Sequence, residues 1–258
     1  MSVDPDTPLA AARFDRAAET YDAWADHHRA IADALFELPK LPAAPLRLLD
    51  VGCGTGLVTL RARQRYPQAA LTGLDQSPAM LEAYARRFPR AERIAGDVQR
   101  VPLPSDLDLI VSSCVFQWLT DYAPTLRRLH AALTPRTGVL AFAEPVDGTL
   151  PEFTAACERA GLAGLGLACR PAETCLAALE ESGFRTAAAQ VRDFPVAYPD
   201  ARCALRSFSG IGALPGKSAL APGQTRRLMA ALSDVCAGRI TLTYRVLLVV
   251  ATPNGSPP

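Results

Sequence analysis

The run Arg47-Leu-Leu-Asp-Val-Gly-Cys-Gly-Thr-Gly56 decides the fold of this chain. Leu46–Val51 reads as a short apolar strand, Gly52–Gly56 as a glycine loop and Leu57–Arg65 as a helix. Outward from it the same rhythm repeats. Ala70–Asp75 is a second strand, and Ser77 with Pro78 forms the N-cap and first-turn pair of a helix running to about Phe88. Arg93–Ala95 is a third strand ending at Gly96-Asp97, and Asp108–Ser112 is a fourth. A helix over Pro124–Leu133 and a turn at Thr134–Gly138 lead to a fifth strand, Val139–Ala143. Apolar strands alternating with helices predict an α/β fold, a mostly parallel sheet covered on both faces.

On the N-terminal side, apolar residues from Phe14 to Leu38 recur at helical spacing, and prolines 39, 42 and 45 mark a linker. Residues 14–39 are therefore expected to be a helical lid and 46–143 a ligand-binding core. Residues 144–239 supply further lid elements, among them helices at Thr174–Ser182, Ala201–Phe208 and Gln224–Cys236. Strands are expected at Thr186–Phe194 and Ile240–Ala251, which makes 14–252 a single domain between mobile ends, 1–13 and 253–258. With the proline linker as its only tie to the sheet, the N-terminal lid is expected to order when a ligand binds.

The glycine loop sits between strand and helix, where glycines let the backbone approach a small molecule and the helix offers free N–H groups. A dinucleotide fingerprint, G-x-G-x-x-G, would put its last glycine at Leu57. This loop is G-x-G-x-G after an acid, Asp50, which would repel a pyrophosphate and suit a positively charged ligand tail. Asp75 ends the second strand, placed to bind ribose hydroxyls. Asp97 and Val98 follow the third, where a carboxylate accepts from an exocyclic amine. Cation, ribose and amine together describe S-adenosylmethionine.

At these residues the chain resembles the class I methyltransferases that use S-adenosylmethionine. The resemblance rests on Asp50–Gly56, Gly73–Leu81, Gly96-Asp97 and Cys114–Leu119, and covers roughly Arg47–Phe142. It implies a Rossmann-like, seven-stranded sheet with the last strand antiparallel. It also implies that Asp50, Gly52, Gly54, Gly56, Asp75, Gln76, Asp97, Val98 and Cys114 contact the cofactor. Further blocks, Phe14–Asp22, Gln117-Trp118, Gly148–Glu152, Leu205–Ala213 and Leu242–Tyr244, are similar to the malonyl-acyl-carrier-protein O-methyltransferases of biotin synthesis and extend the likeness to about Phe14–Ala251. The Ala- and Gly-rich segment Cys157–Cys169 matches no part of that pattern.

A malonyl carboxylate, with a pKa near ~4, is already ionised at neutral pH and needs no general base. The protein has to hold it in line with the methyl group and exclude water. A planar guanidinium is the natural clamp, and Arg206, within a block that resembles the subfamily, is the expected one. Tyr21 lies on the apolar face of the N-terminal helix, either closing over the cofactor or packing in the core. Gln117 and Trp118 follow the fourth strand, Trp118 as a wall, and Tyr244 is expected near the substrate. His27, His28 and His130 show no metal spacing and read as surface or helix-face residues.

The 258 residues carry 27 Lys and Arg against 26 Asp and Glu, so no basic excess points to nucleic acid. Seven scattered cysteines without a Cys-x-x-Cys pair argue against a disulfide framework and structural zinc. The residues from Met1 lack a signal-peptide pattern, and no apolar run spans a membrane. A cytoplasmic monomer is expected, with an acyl carrier protein or CoA thioester as partner. Arg86-Arg87, Arg127-Arg128 and Arg226-Arg227 are candidates to meet an acidic carrier. Three alternatives stay open: methylation of another small acid, a non-catalytic cofactor-binding protein, and a nicotinamide dehydrogenase.

Overall fold

The structure is a computed structural model that describes residues 7–162, 165, 169–212 and 220–254. The first strand, β1 (Arg47–Val51), is buried from Leu48 onward, because helices cover both its faces. After the N-terminal helices α1 (Thr7–Ala17), α2 (Tyr21–Trp24) and α3 (Asp26–Glu37), the chain alternates as the sequence predicts. The order is β1, α4 (Leu57–Arg65), β2 (Ala70–Asp75), α5 (Pro78–Arg87), β3 (Glu92–Ala95) and β4 (Leu109–Ser113), then α6 (Tyr122–Ala132) and β5 (Val139–Pro145). The second half adds α7 (Pro151–Arg159), α8 (Ala172–Glu181), β6 (Phe184–Ala197), α9 (Ala201–Gly210), α10 (Pro222–Val235) and β7 (Thr241–Pro253).

The seven strands form one sheet in the order β3-β2-β1-β4-β5-β7-β6. The strands from β3 across to β5 pair in parallel, and β7 runs antiparallel to both β5 and β6. The seven-stranded sheet with its last strand antiparallel is thus present. From β1 the chain winds outward through β2 and β3, then crosses back to β4 on the other side. That reversal opens a crevice at the carboxyl ends of β1 and β4, where open α/β sheets bind ligands.

Several boundaries differ from the sequence reading, each for a physical reason. The stretch 14–39 is three helices rather than one or two, and α1 begins at Thr7, inside the segment expected to be a mobile end. At the other end β7 runs to Pro253, and Asn254 N donates to Gly183 O at 2.7 Å; residues 1–6 and 255–258 lie outside the described residues. Helix α7 was not foreseen. Pro151 opens it and Leu150, at φ 52°, turns the chain into it, and neither gives a periodic signal. Residues 163–164 and 166–168 of the unmatched segment, and Ala213 of the subfamily block, lie outside the described residues.

The lid is tied down at several points besides the linker. Asp15 Oδ1 accepts from Ser77 Oγ and from Ala79 N (3.1 Å), pinning α1 to the start of α5. Asp22 Oδ1 accepts from Thr55 Oγ1 at 2.5 Å, and its other oxygen pairs with Arg87. Helix α9 backs this assembly: a Cβ on Gly210 would sit 2.3 Å from Trp24 Cδ1. The lid therefore reaches the glycine loop and α5 directly, and the premise that only the prolines hold it is corrected. Gly210→Ala should push Trp24 aside and cost about 1–3 kcal/mol, an overpacking penalty. A lower urea midpoint with an unchanged slope would confirm it; an unchanged midpoint would show that α9 is not fixed against α2.

Candidate active site

The glycine loop is built by what surrounds it. Gly52 has φ 67°, and a Cβ there would lie 2.2 Å from Val115 Cγ2, so no side chain fits. Gly52 N and Cys53 N both donate to Leu74 O, at 2.7 and 2.9 Å, clamping the loop to the end of β2. Gly54, at φ 51°, faces open space: nothing lies within 4 Å of where its Cβ would be. Asp75 organises the next layer. Its Oδ2 accepts from Gly54 N at 2.8 Å and its Oδ1 from Ser77 N at 2.9 Å. Each oxygen keeps a lone pair for a ligand hydroxyl.

A cavity opens over these groups, enclosing about 710 Å³ when the solvent-open space at its entrance is counted. Its walls include Tyr21, Gly52, Gly54, Asp75, Gln76, Asp97, Val98, Cys114 and Trp118, so nine of the residues named from sequence come together here. Asp97 is oriented at one end, its Oδ1 accepting from Gln99 N at 2.9 Å, above the buried Val98. Phe14, which the sequence reading left without a role, meets Trp118 edge to face at 6.0 Å and lines the cavity too. Cys114 adopts φ 57°, a left-handed conformation that is strained for a side-chain-bearing residue. Burial pushes its thiol up to about 12, so it contributes a neutral sulfur. Burial, then Cys114, Asp75 and Asp22, raise the Tyr21 phenol as well, which keeps it a hydroxyl donor. No lysine, arginine or histidine is among the described residues lining this cavity, while two carboxylates are.

Other expected residues lie elsewhere. Asp50 is fully buried behind the loop, its Oδ2 accepting from Thr59 Oγ1 at 2.5 Å, so it does not line the cavity. Gly56 starts α4 against Phe88 rather than facing a ligand. Gln117 turns back to donate to Cys114 O at 2.8 Å, bracing the strand end instead of joining the wall. Tyr244 is buried on β7 and stacks on His27 at 4.2 Å. Arg206 stands exposed on α9 and is not among the described residues lining this cavity. His27 is a correction too: it is 3% exposed, not a surface residue.

One arginine of each pair expected to form a carrier patch is engaged in the fold. Arg87 donates to Thr55 O at 3.0 Å, Arg128 to Val98 O at 3.3 Å, and Arg227 to Ala160 O at 3.4 Å. Another arginine, Arg170, was missed. It donates to Phe116 O (3.2 Å) and Leu119 O (2.7 Å) and lies 4.3 Å over the Tyr122 ring. Tyr122 in turn donates to the buried Glu144, whose carboxyl is raised by burial. This brace holds the turn Phe116–Trp118 that presents Trp118 and Leu119 to the cavity.

The sheet order and the acid-lined crevice define a Rossmann-like methyltransferase. A family model described as a methyltransferase domain matches residues 48–136. The malonyl-[acyl-carrier protein] O-methyltransferase of Halorhodospira halophila is 31% identical over 258 residues, covering 95% of this chain and 87% of that protein. The protein of the same name from Priestia megaterium is 32% identical over 145 residues, 55% of this chain and 53% of that one. The chain belongs to the malonyl-[acyl-carrier protein] O-methyltransferase family. Among solved structures, a putative methyltransferase from Bacillus halodurans superposes with a TM-score of 0.64 at 12% identity, covering 87% of this chain and 99% of that one. Haemonchus contortus phosphoethanolamine N-methyltransferase 2, solved with phosphomonomethylethanolamine and S-adenosylhomocysteine, gives 0.58 at 16% identity, covering 93% of this chain and 57% of that one. Both likenesses concern the fold. Among the described residues no helix is long and apolar enough to cross a membrane.

Burial raises the Asp50 carboxyl to about 7, against the Thr59 hydrogen bond, which lowers it. In the unfolded chain that group titrates near ~3.9. Between these values the folded state holds a proton that the unfolded state releases, so stability falls as pH rises through the window. The loss attributable to Asp50 is on the order of 4 kcal/mol. Asp50→Asn should flatten that part of the profile, read as urea midpoints from pH 4.5 to 7.5. An unaltered slope would show that Asp50 is ionised in the folded protein.

Proposed function

We propose that this enzyme transfers a methyl group from S-adenosylmethionine to the free carboxylate of a malonyl thioester carried on acyl carrier protein or CoA. The step falls early in the making of a biotin precursor, as the sequence resemblance implies. One observation carries the reading: the cavity at the crevice of the sheet holds two carboxylates and, among its described residues, no cation. A cationic ligand suits such a site and a pyrophosphate does not, which separates it from a dinucleotide site. Asp75 has free lone pairs for ribose hydroxyls, Asp97 for an amine, and Gly54 leaves room at the loop.

Bound in this cavity, S-adenosylmethionine supplies a methyl group on a sulfonium. The chain's own part is to position and to keep dry. Phe14, Trp118, Val115 and Leu119 surround the reacting region with apolar surface. Transfer from a sulfonium to a carboxylate cancels two charges, and a surrounding of low polarity favours that change over bulk water. Tyr21, kept as a hydroxyl, supplies a donor on the cavity wall. No base is required, because the carboxylate is already ionised at neutral pH.

Mass spectrometry of malonyl-carrier protein after incubation with enzyme and S-adenosylmethionine should show the gain of one methyl, with none on acetyl-carrier protein. No transfer despite cofactor binding would move the assignment to another acid. Arg206, exposed on α9 one turn before the residue that abuts Trp24, is suited to meet an acidic carrier rather than the buried carboxylate. Arg206→Glu should raise KM for malonyl-carrier protein about tenfold and leave a small malonyl thioester nearly unaffected. Equal losses on both substrates would instead return Arg206 to the acyl end.

A further inference from the structure

Four aromatic rings stand in a column between the lid and the sheet. The centroids of Tyr21 and His28 are 5.5 Å apart, those of His28 and His27 4.0 Å, and those of His27 and Tyr244 4.2 Å, the last pair nearly parallel at 13°. Tyr21 lines the main cavity, and Tyr21 with His28 also lines a smaller cleft beside it, bounded by Gly52–Leu57 and Ser113. Tyr244, at the other end, belongs to β7, and Cys114 lies close enough to raise both tyrosine hydroxyls. The column thus connects the cavity to the carboxyl end of the sheet.

Its polar edges are unpaired. His27 Nδ1 and Nε2, His28 Nδ1 and Tyr244 Oη are buried with no hydrogen-bond partner among the described residues. Tyr244 Oη lies near Tyr198 without the geometry of a hydrogen bond. His27 and Tyr244 are 3% and 5% exposed, so solvent does not serve them. Buried polar groups are ordinarily satisfied, and several orphans in one stack mark a place where a ligand completes the set. Burial, helped by the neighbouring cation of Arg29, depresses the His28 imidazole to about 4; burial and His28 depress that of His27. Arg29 itself is held by Asp26 and the Asp22 carbonyl, and Asp22 by Thr55 and Arg87. At neutral pH the column therefore offers uncharged N–H and O–H donors. A metal is disfavoured, because no group of three metal-binding side chains gathers among the described residues.

We propose that His28, on the wall of the smaller cleft, with His27 and Tyr244 stacked behind it, forms an uncharged receptor for the carboxylate of the acyl substrate, taking the place of an arginine clamp. The inference rests on the proposed carboxylate methylation. A guanidinium would draw electron density from the oxygen that must attack and would set a second cation beside the sulfonium. Neutral donors fix one oxygen and leave the other nucleophilic. Once the ester has formed, its weaker acceptors loosen the grip and favour release.

Calorimetry tests this with malonyl-N-acetylcysteamine titrated into the full chain in the presence of S-adenosylhomocysteine, and acetyl-N-acetylcysteamine as the control. His28→Leu and Tyr244→Phe should each raise the Kd for the malonyl compound at least tenfold. Affinity for S-adenosylhomocysteine should stay within twofold, which also shows that the variants fold. His28→Gln, which keeps a donor, should recover most of the loss, and in turnover KM should rise more than kcat falls. Unchanged malonyl affinity in both variants would overturn the proposal. So would a loss confined to S-adenosylhomocysteine, which would assign the column to the cofactor's own carboxylate. If the wild-type enzyme binds S-adenosylhomocysteine but not the malonyl compound, the substrate reading itself falls, whatever the variants do.

Discussion

One carboxylate, Asp75, ties the glycine loop to the entry of α5. It receives the Gly54 N–H on one oxygen and the Ser77 N–H on the other, at 2.8 and 2.9 Å. The first contact sets the conformation of the glycine loop, and the second sets the entry to α5. Ser77 caps that helix and also donates to Asp15 of α1, so the constraint passes from the sheet into the lid. From the loop side, Thr55 passes it on to Asp22 and so to Tyr21. The lid, the loop and the binding face of Asp75 are parts of one hydrogen-bonded frame. The cost is a carboxyl raised by burial, tolerable because backbone N–H groups oppose that shift.

The core of the fold was legible because its physics is local. Parallel strands covered on both faces must be apolar throughout, and β1, β2 and β4 read that way; the Ser77-Pro78 pair announced α5 to within a residue. The cavity residues were legible for a related reason, since the ends of parallel strands are where loops can carry polar groups. What escaped was everything that depends on which way a side chain turns after the chain has folded. Asp50 and Asp75 both end strands, yet one turns inward to Thr59 and the other toward the cavity, and no spacing tells them apart. His27 shares a helix with exposed residues, and only the arrival of β7 from more than 200 positions away buries it against Tyr244. Arg206 was chosen for its chemistry, and helix α9 presents it outward.

Two of the subfamily blocks outside the core turn out to be fastenings. Glu152 accepts from both Thr243 N (3.0 Å) and Thr243 Oγ1 (2.6 Å), and Thr149 Oγ1 accepts from Arg245 N at 3.0 Å. Gly148–Glu152 and Leu242–Tyr244, two separate blocks in the sequence, are one joint in space. That joint aligns β7, and with it Tyr244, against the lid. Residues that look like recognition signals in one dimension can be the devices that hold a recognition surface in place.

The position of β7 also shapes how the molecule comes together. It is the final strand along the chain, yet it sits between β5 and β6 and pairs with each. Before residues 241–253 join, β5 presents a bare edge with buried-type side chains, and β6 has no neighbour at all. Such edges are templates for pairing with other chains. Completion of the sheet therefore waits on contacts of long sequence separation, which form slowly. The strand that supplies Tyr244 is thus also the one that covers these aggregation-prone edges, closing the sheet and the site together.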